Sequence, residues 1–95
     1  MAARLLLRDK KIKNSLIVEM VVWELDEPLQ GCSHRFKYRL FCGGLETGMN
    51  LVRYDNERGK GDHRHAATGE QPYIFISLER LFADFENDVR EALKK

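Results

Sequence analysis

The chain has little of what marks several large protein classes. Its 95 residues include only two cysteines, Cys32 and Cys42, and they lie in none of the paired spacings typical of metal-binding motifs. No apolar run approaches the ~20 residues that a membrane-spanning helix needs, and no hydrophobic signal segment opens the chain. These absences predict a cytoplasmic protein with reduced thiols that does not act on a membrane.

A surplus of charge is also missing. The 16 Lys and Arg nearly balance the 15 Asp and Glu, for a net charge of +1. Any attraction to nucleic acid must therefore come from where the cations are placed and not from their excess. Hydrophobic residues make up 43% of the chain, which is typical of a folded protein, and the length predicts a single domain over residues 1–95 with one core.

The periodicity of the apolar residues predicts several strands followed by one helix. Segments with alternating or β-branched character cover 3–10, 15–25, 34–42, 49–55 and 72–76. Residues 77–95 carry apolar side chains at three- and four-residue steps, and Ser77 stands where an N-cap is expected. The predicted fold class is α+β: an antiparallel β-sheet of about four to five strands with a C-terminal α-helix packed on one face.

One predicted strand carries three cations on the same face. Arg35, Lys37 and Arg39 alternate with residues of the core face, which is predicted to include His34 and Tyr38. Same-face residues of a strand stand about 6.5–7 Å apart, a spacing with which a row of cations can follow a nucleic-acid backbone. The simpler interpretation is a solvated outer face. Trp23 is predicted to belong to the core.

The segment YDNERGKGDHRH, residues 54 to 65, is unlike ordinary scaffold and is predicted to open a flexible loop over 54–71. Its Gly-Lys-Gly could let backbone N–H groups approach an anion beside Lys60. His63 and His65 would point to one side of an extended chain and Arg64 to the other. Histidine, with an unperturbed pKa of ~6.5, can accept and donate a proton near neutrality.

These residue types fit the cleavage of RNA by its own 2′-OH. That reaction needs a base for the hydroxyl, an acid for the leaving oxygen and cations for the charge on the phosphorane. The predicted catalytic residues are His63, His65, Lys60, Arg64, Tyr54 and Asp55. The predicted nucleic-acid-binding residues are Arg35, Lys37, Arg39, Arg53 and Arg58.

A metal site is the rival chemistry in the same segment. Its nitrogen and oxygen donors would be His63, His65, Asp62 and Asp55. The neighbouring cations Lys60 and Arg64 would oppose a divalent ion, so we predict a reaction without a metal or other cofactor. A polar surface loop without chemistry is the third interpretation.

Three stretches of the chain resemble one protein family. They are VVWELDEPLQGCSHRFKYRLF, LVRYDNERGKGDHRH and PYIFISLERLFADFENDV, and their most specific elements are Tyr54-Asp55-Asn56, Gly59-Lys60-Gly61 and His63-Arg64-His65. Together they resemble the TumE-type family of small bacterial and archaeal toxins over about residues 15–90. The resemblance implies a growth-inhibiting toxin of a toxin–antitoxin module and a cognate helix-turn-helix antitoxin, usually encoded beside it.

The leading hypothesis is therefore a toxin that acts on RNA as a small metal-independent ribonuclease. Two alternatives within reach of the same residues are a metal-dependent nuclease and a module that binds nucleic acid or protein without catalysis. A structural protein that assembles through an exposed sheet edge, for example as a homodimer, is a further alternative.

Overall fold

A computed structural model describes residues 2–67 and 69–94. Its elements are the strands β1 (Ala3–Lys13), β2 (Leu16–Leu25), β3 (Phe36–Gly44), β4 (Asn50–Glu57), β5 (Gly61–Ala66) and β6 (Gly69–Pro72), followed by the helix α1 (Leu78–Leu93). The predicted α+β class, with an antiparallel sheet and a C-terminal helix, is confirmed.

The six strands form one antiparallel sheet in the order in which they occur in the chain. The prediction of about four to five strands was wrong, because most of the segment 54–71 is not a loop. β4 continues to Glu57, a short turn reverses the chain, and β5 and β6 follow as a hairpin. The strand predicted over 72–76 was also wrong: β6 ends at Pro72, and residues 73–77 belong to no strand and lead to α1.

The helix packs on one face of this sheet, mainly against β4. Its N-cap is Ser77, as predicted, and the Ser77 hydroxyl accepts a hydrogen bond of 3.0 Å from the backbone N–H of Arg80. Phe85 packs edge-on against Tyr54 of β4, with ring centroids 5.9 Å apart. The core between helix and sheet consists of Val22, Tyr38, Leu40, Cys42, Val52, Tyr54, Leu81 and Phe85. The expected apolar stripe of the helix is thus its sheet-facing side.

The opposite side of the sheet, which we call the open face, carries the residues that alternate with this core. On β3 the buried Tyr38 and Leu40 flank the exposed Arg39, and on β4 the buried Val52 and Tyr54 flank Arg53. Trp23 was predicted to belong to the core, but it is only half-buried and pairs in the ladder with Lys37 of the open face. Its strand neighbour Val22 fills the core position instead.

The turn between β4 and β5 packs tightly on the segment that joins β2 to β3. Gly61 has a φ of +78°, a region that favours glycine, and a Cβ on it would lie 2.9 Å from the carbonyl oxygen of Gly31. The N–H of Gly59 donates to the carbonyl of Gln30 at 2.7 Å. The glycines of this turn therefore permit a close backbone contact.

Cys32 and Cys42 are both free thiols, and burial raises the pKa of the Cys42 thiol. Within the described residues, no helix combines the length and the apolar character needed to cross a membrane.

Candidate functional site

The register of β4 and β5 brings four of the predicted site residues into one block on the open face. Asp55 lies opposite His63, and Arg53 lies opposite His65. Neighbouring strands are about 4.8 Å apart and same-face residues along a strand about 7 Å apart, so the four side chains arise from a patch of roughly 5 by 7 Å. We call Arg53, Asp55, His63 and His65 the open-face quartet.

Cations of β3 extend the quartet across the sheet. Arg39 lies opposite Asp55, so it shares a cross-strand row with His63 at a backbone separation of about 10 Å. Its guanidinium is exposed and lies 4.9 Å from the ring centroid of Phe41, a cation–π contact that leaves the charge at the surface. Lys37, one step along β3, donates through Nζ to the backbone carbonyl of Asn56.

The same rows continue onto β1, where sequence analysis had assigned no site residue. Arg8 pairs with Val21, which pairs with Arg39, and Lys10 pairs with Glu19 in the next row. Both β1 cations are exposed. The open face therefore carries basic residues on β1, β3 and β4, with imidazoles on β5.

His63 is held in a defined orientation. Its Nε2 lies 2.9 Å from the carbonyl oxygen of Lys60, and since a carbonyl only accepts, Nε2 carries the proton in this contact. Nδ1 lies 3.8 Å from a carboxylate oxygen of Glu70 on β6. The imidazole thus keeps a second nitrogen for proton transfer at a side chain that is 22% exposed.

Arg53 and Asp55 are neighbours on β4 and face each other. Arg53 Nε lies 3.4 Å from Asp55 Oδ2, and this Nε is buried without a hydrogen bond. The Arg53 cation is thereby paired with Asp55, and its backbone lies opposite His65. The cation that stands next to the histidine pair is Arg53, which had been predicted only as a nucleic-acid contact.

Two predicted catalytic residues lie on the other side of the sheet. Tyr54 is 1% exposed, and its hydroxyl donates to Asp88 of α1. Arg64 Nε lies 2.9 Å from the Tyr54 hydroxyl, and its guanidinium also binds Asp88. Burial, followed by the bond to Asp88, raises the pKa of Tyr54. The structure does not bring Tyr54 and Arg64 together with the histidines.

The Gly-Lys-Gly turn does not offer the anion cradle considered from sequence. The N–H of Gly59 is bonded to Gln30, and the N–H of Lys60 donates to the carbonyl of Glu57 at 3.1 Å. Lys60 itself is exposed, with Nζ 3.7 Å from a Glu57 carboxylate oxygen. Its contact with His63 runs through its backbone, and its side chain remains a solvent-facing charge at the tip of the hairpin.

The last two predicted nucleic-acid contacts lie outside the strands. Arg35 immediately precedes β3, and Arg58 stands in the turn after β4; both are exposed. The predicted row of three cations is therefore reduced, within the sheet, to Lys37 and Arg39.

The predicted metal ligands are divided between the two faces. His63, His65 and Asp55 belong to the open face, where Arg53 would oppose a divalent ion. Asp62 points to the other side and lies with Cys32 and His34 in the one group of three such donors found among residues 2–67 and 69–94, all within 4.8 Å of one another.

The Cys32–His34–Asp62 group is already occupied by hydrogen bonds within the chain. His34 Nδ1 accepts from the N–H of Phe36 at 3.1 Å, so Nε2 carries the proton that it donates to Asp62 Oδ2 at 2.7 Å. The Tyr38 hydroxyl donates to the same oxygen at 2.7 Å. Neither imidazole nitrogen has a lone pair left for a metal.

The pKa of the Cys32 thiol is also unfavourable for metal binding. Burial, followed by the charge of Asp62, raises this pKa, which opposes the thiolate that a metal would need.

His34 was predicted to face the core side, and it does: its ring stacks on Phe75 at a centroid distance of 3.8 Å. Its pairing with Asp62 was not foreseen, because the two residues are 28 positions apart.

Comparison with known proteins gives one match. A family model described as "Toxin TumE" matches residues 3–93, nearly the whole chain, and includes every residue of the open-face quartet. Searches of curated proteins and of solved structures returned no match. The family match agrees with the resemblance carried by the motifs at Tyr54, Gly59 and His63, and the chain belongs to the TumE toxin family.

Proposed function

We propose that this toxin acts on RNA and cleaves it without a metal, through the open-face quartet. The observation that carries the proposal is the β4–β5 register, which pairs Arg53 with His65 and Asp55 with His63 on the open face. The cations of β1 and β3 in the same rows supply contacts for the phosphates that flank the reacting one.

The chemistry assigns one role to each kind of side chain. One imidazole takes the proton of the 2′-OH as its oxygen attacks phosphorus, and the other, protonated, gives its proton to the departing 5′ oxygen. The products are a 2′,3′-cyclic phosphate and a free 5′-OH. His63 and His65 stand about 7 Å apart on one strand face, which lets them flank a phosphodiester whose attacking and leaving oxygens lie on opposite sides of phosphorus.

Arg53 is the proposed stabiliser of the phosphorane. It lies opposite His65 in the ladder, its Nε is 3.4 Å from Asp55 Oδ2, and its side chain is 32% exposed on the open face. A preorganised cation of this kind acts where charge develops in the transition state. Arg53 thus takes the role that the sequence had given to Arg64, which is engaged by Asp88.

The experiment is cleavage of single-stranded RNA by the purified protein in excess EDTA. We expect cyclic-phosphate ends, no cleavage of a substrate that carries 2′-deoxyribose at the scissile position, and losses of about 10²–10⁴-fold in rate for His63→Ala and for His65→Ala. Gln71→Ala is the matched control, since Gln71 is an exposed strand residue that pairs with Arg64 on the opposite face. Thermal unfolding of each variant verifies that it is folded.

Three results would change the assignment. Cleavage that requires added Mg²⁺ or Mn²⁺ would replace this mechanism by a metal-dependent one. RNA that is bound but left intact, with the histidine variants still arresting growth, would make the protein a binding module. Histidine variants that cleave as fast as wild type would remove the quartet from the mechanism.

A further inference from the structure

The single helix covers only part of the sheet face on which it lies. Six strands at about 4.8 Å spacing span about 24 Å from β1 to β6, whereas a helix with its side chains is about 10 Å wide. α1 packs on β4, where Phe85 meets Tyr54, and reaches β5 through the Arg64–Asp88 bond. On the helix side of β2, Val22 is fully buried, whereas Val18 and Met20 are only half-buried, so α1 leaves this part of β2 and the adjoining β1 less covered.

A groove of about 330 Å³ fills the uncovered space between α1 and β1. Its floor is formed by Val18 and Met20 of β2, and its apolar wall by Phe85, Val89 and Leu93 of α1. Leu93 is 56% exposed at the end of the helix stripe. The apolar side of the helix thus continues past the sheet residues that it covers.

The spacing between α1 and β2 is that of two packed helices. Packed helices lie 8–10 Å apart, and β2 is two strands, or about 10 Å, from β4. A helix seated beside α1 would therefore lie directly above β2, on Val18 and Met20. An added helix would complete the layer that α1 begins.

Charge distinguishes the two sides of the groove. On the groove side of β1, Lys11 and Lys13 stand beside one acid, Asp9, for a net charge of +1. Lys11 has a side chain that is 76% exposed, and its Nζ lies 3.8 Å from Asp9 Oδ2. α1, on the other side, lines the groove with Glu86 and Arg90, whose charges cancel. An occupant that places acids along β1 is attracted to that strand.

We propose that the antitoxin partner of this toxin inserts one amphipathic α-helix into the groove between α1 and β1. Its apolar stripe contacts Val18, Met20 and Val89, and its acidic flank runs along β1 beside Lys11. The groove lies on the opposite side of the sheet from the quartet, so this binding does not depend on the ribonuclease function proposed above.

Pairing of β1 with β1 of a second copy is the less favourable use of the same strand. An antiparallel pair of two such strands would bring together two segments that each carry five basic residues and one acid, and their like charges repel. An antitoxin strand added to the edge of β1 would contact both faces equally, whereas a helix in the groove contacts only the face of Lys11. The two modes are therefore separable by neighbouring lysines of one strand.

The test measures the affinity of the cognate antitoxin for variants of the full-length toxin. We expect Leu93→Glu, which places a charge on the apolar wall of the groove, and Lys11→Glu, which reverses the charge on the flank, each to weaken binding at least about tenfold. Leu45→Glu is the matched control for the first, because Leu45 is a similarly exposed leucine in the β3–β4 turn. Lys10→Glu, on the open face of the same strand, is the control for the second.

Each contrary result excludes the proposal in a different way. Equal losses for Lys10→Glu and Lys11→Glu would indicate strand addition at the β1 edge. Losses only for the open-face change Arg39→Glu would place the antitoxin on the quartet side. A toxin dimer in light scattering that Leu93→Glu dissociates, with antitoxin affinity unchanged, would assign the groove to a second copy.

Discussion

The Arg64 guanidinium donates two hydrogen bonds to the Asp88 carboxylate, 2.6 Å from Nε to Oδ2 and 2.9 Å from Nη2 to Oδ1. This bond ties α1 to β5, while the Tyr54 hydroxyl donates to the same carboxylate from β4. One side chain of the helix thereby joins two strands. The residue between the two histidines of β5 thus holds the helix against the sheet.

Asp88→Asn should lower the free energy of unfolding by about 2–4 kcal/mol, because it leaves the Arg64 cation half-buried without its anion. Urea unfolding measures the loss. The matched control is Glu91→Gln on the same helix, whose partner Lys94 is as exposed as Glu91 itself, 66% and 60%. Exposed pairs contribute about 0–1 kcal/mol, so equal losses in the two variants would contradict a structural role for the Arg64–Asp88 bond.

The same carboxylate predicts a pH dependence of stability. Burial alone would raise the pKa of Asp88, but the hydrogen bonds from Arg64 and Tyr54 lower it below its ordinary value. A group with a lowered folded-state pKa stabilises the fold fully above its unfolded pKa, about 3.9 for aspartate, and this stabilisation is lost as pH falls through the folded value. Wild type should therefore lose stability more steeply than Asp88→Asn below about pH 5. Urea midpoints of the two proteins measure this loss. A constant difference between the midpoints across that pH range would contradict the role of Asp88.

The alternation of β3 and the apolar stripe of the helix were predictable from sequence because both are local. Tyr38 and Arg39 fall on opposite faces by the two-residue period alone, and Ser77 caps the helix through its own neighbouring N–H groups. The β5–β6 hairpin was not predictable in this way. Asp62 of this hairpin is hydrogen-bonded to His34, a residue 28 positions away. Judged locally, a segment of glycines and charged residues is typical of a loop.

The candidate site was likewise predictable from sequence only in part. The placement of His63 and His65 on one side of the chain follows from their spacing, and the structure confirms it. Their neighbours come from the register of β4, which sequence periodicity does not give. A shift of one residue would have set Tyr54 opposite a histidine and turned Arg53 toward the helix. Only the fold shows that Arg53, and not Arg64, shares the face of the two histidines.

A buried amide predicts the second effect on stability. Asn56 is fully buried; its Nδ2 donates to the Phe36 carbonyl at 2.6 Å, and its Oδ1 accepts from the Tyr38 N–H at 3.0 Å. Asn56→Ala should cost about 2–4 kcal/mol, because two buried backbone groups of β3 lose their partner. Asn87→Ala on the exposed side of α1 should change the urea midpoint little, and similar losses in the two variants would contradict the proposed role of Asn56.

The salt dependence of RNA binding tests whether the open face is the surface that meets the phosphates. Each phosphate contact with a single strand adds about 0.7 to the slope of log affinity against log salt concentration. Arg39→Gln should therefore lower the slope by about this amount, since Arg39 is exposed in the row of His63. Arg80→Gln, which removes an exposed arginine of α1 whose partner Asp84 lies on the same helix, should leave the slope unchanged. If Arg80→Gln lowers the slope and Arg39→Gln leaves it unchanged, the RNA binds on the helix side of the sheet. The quartet would then not contact the phosphodiester that is cleaved.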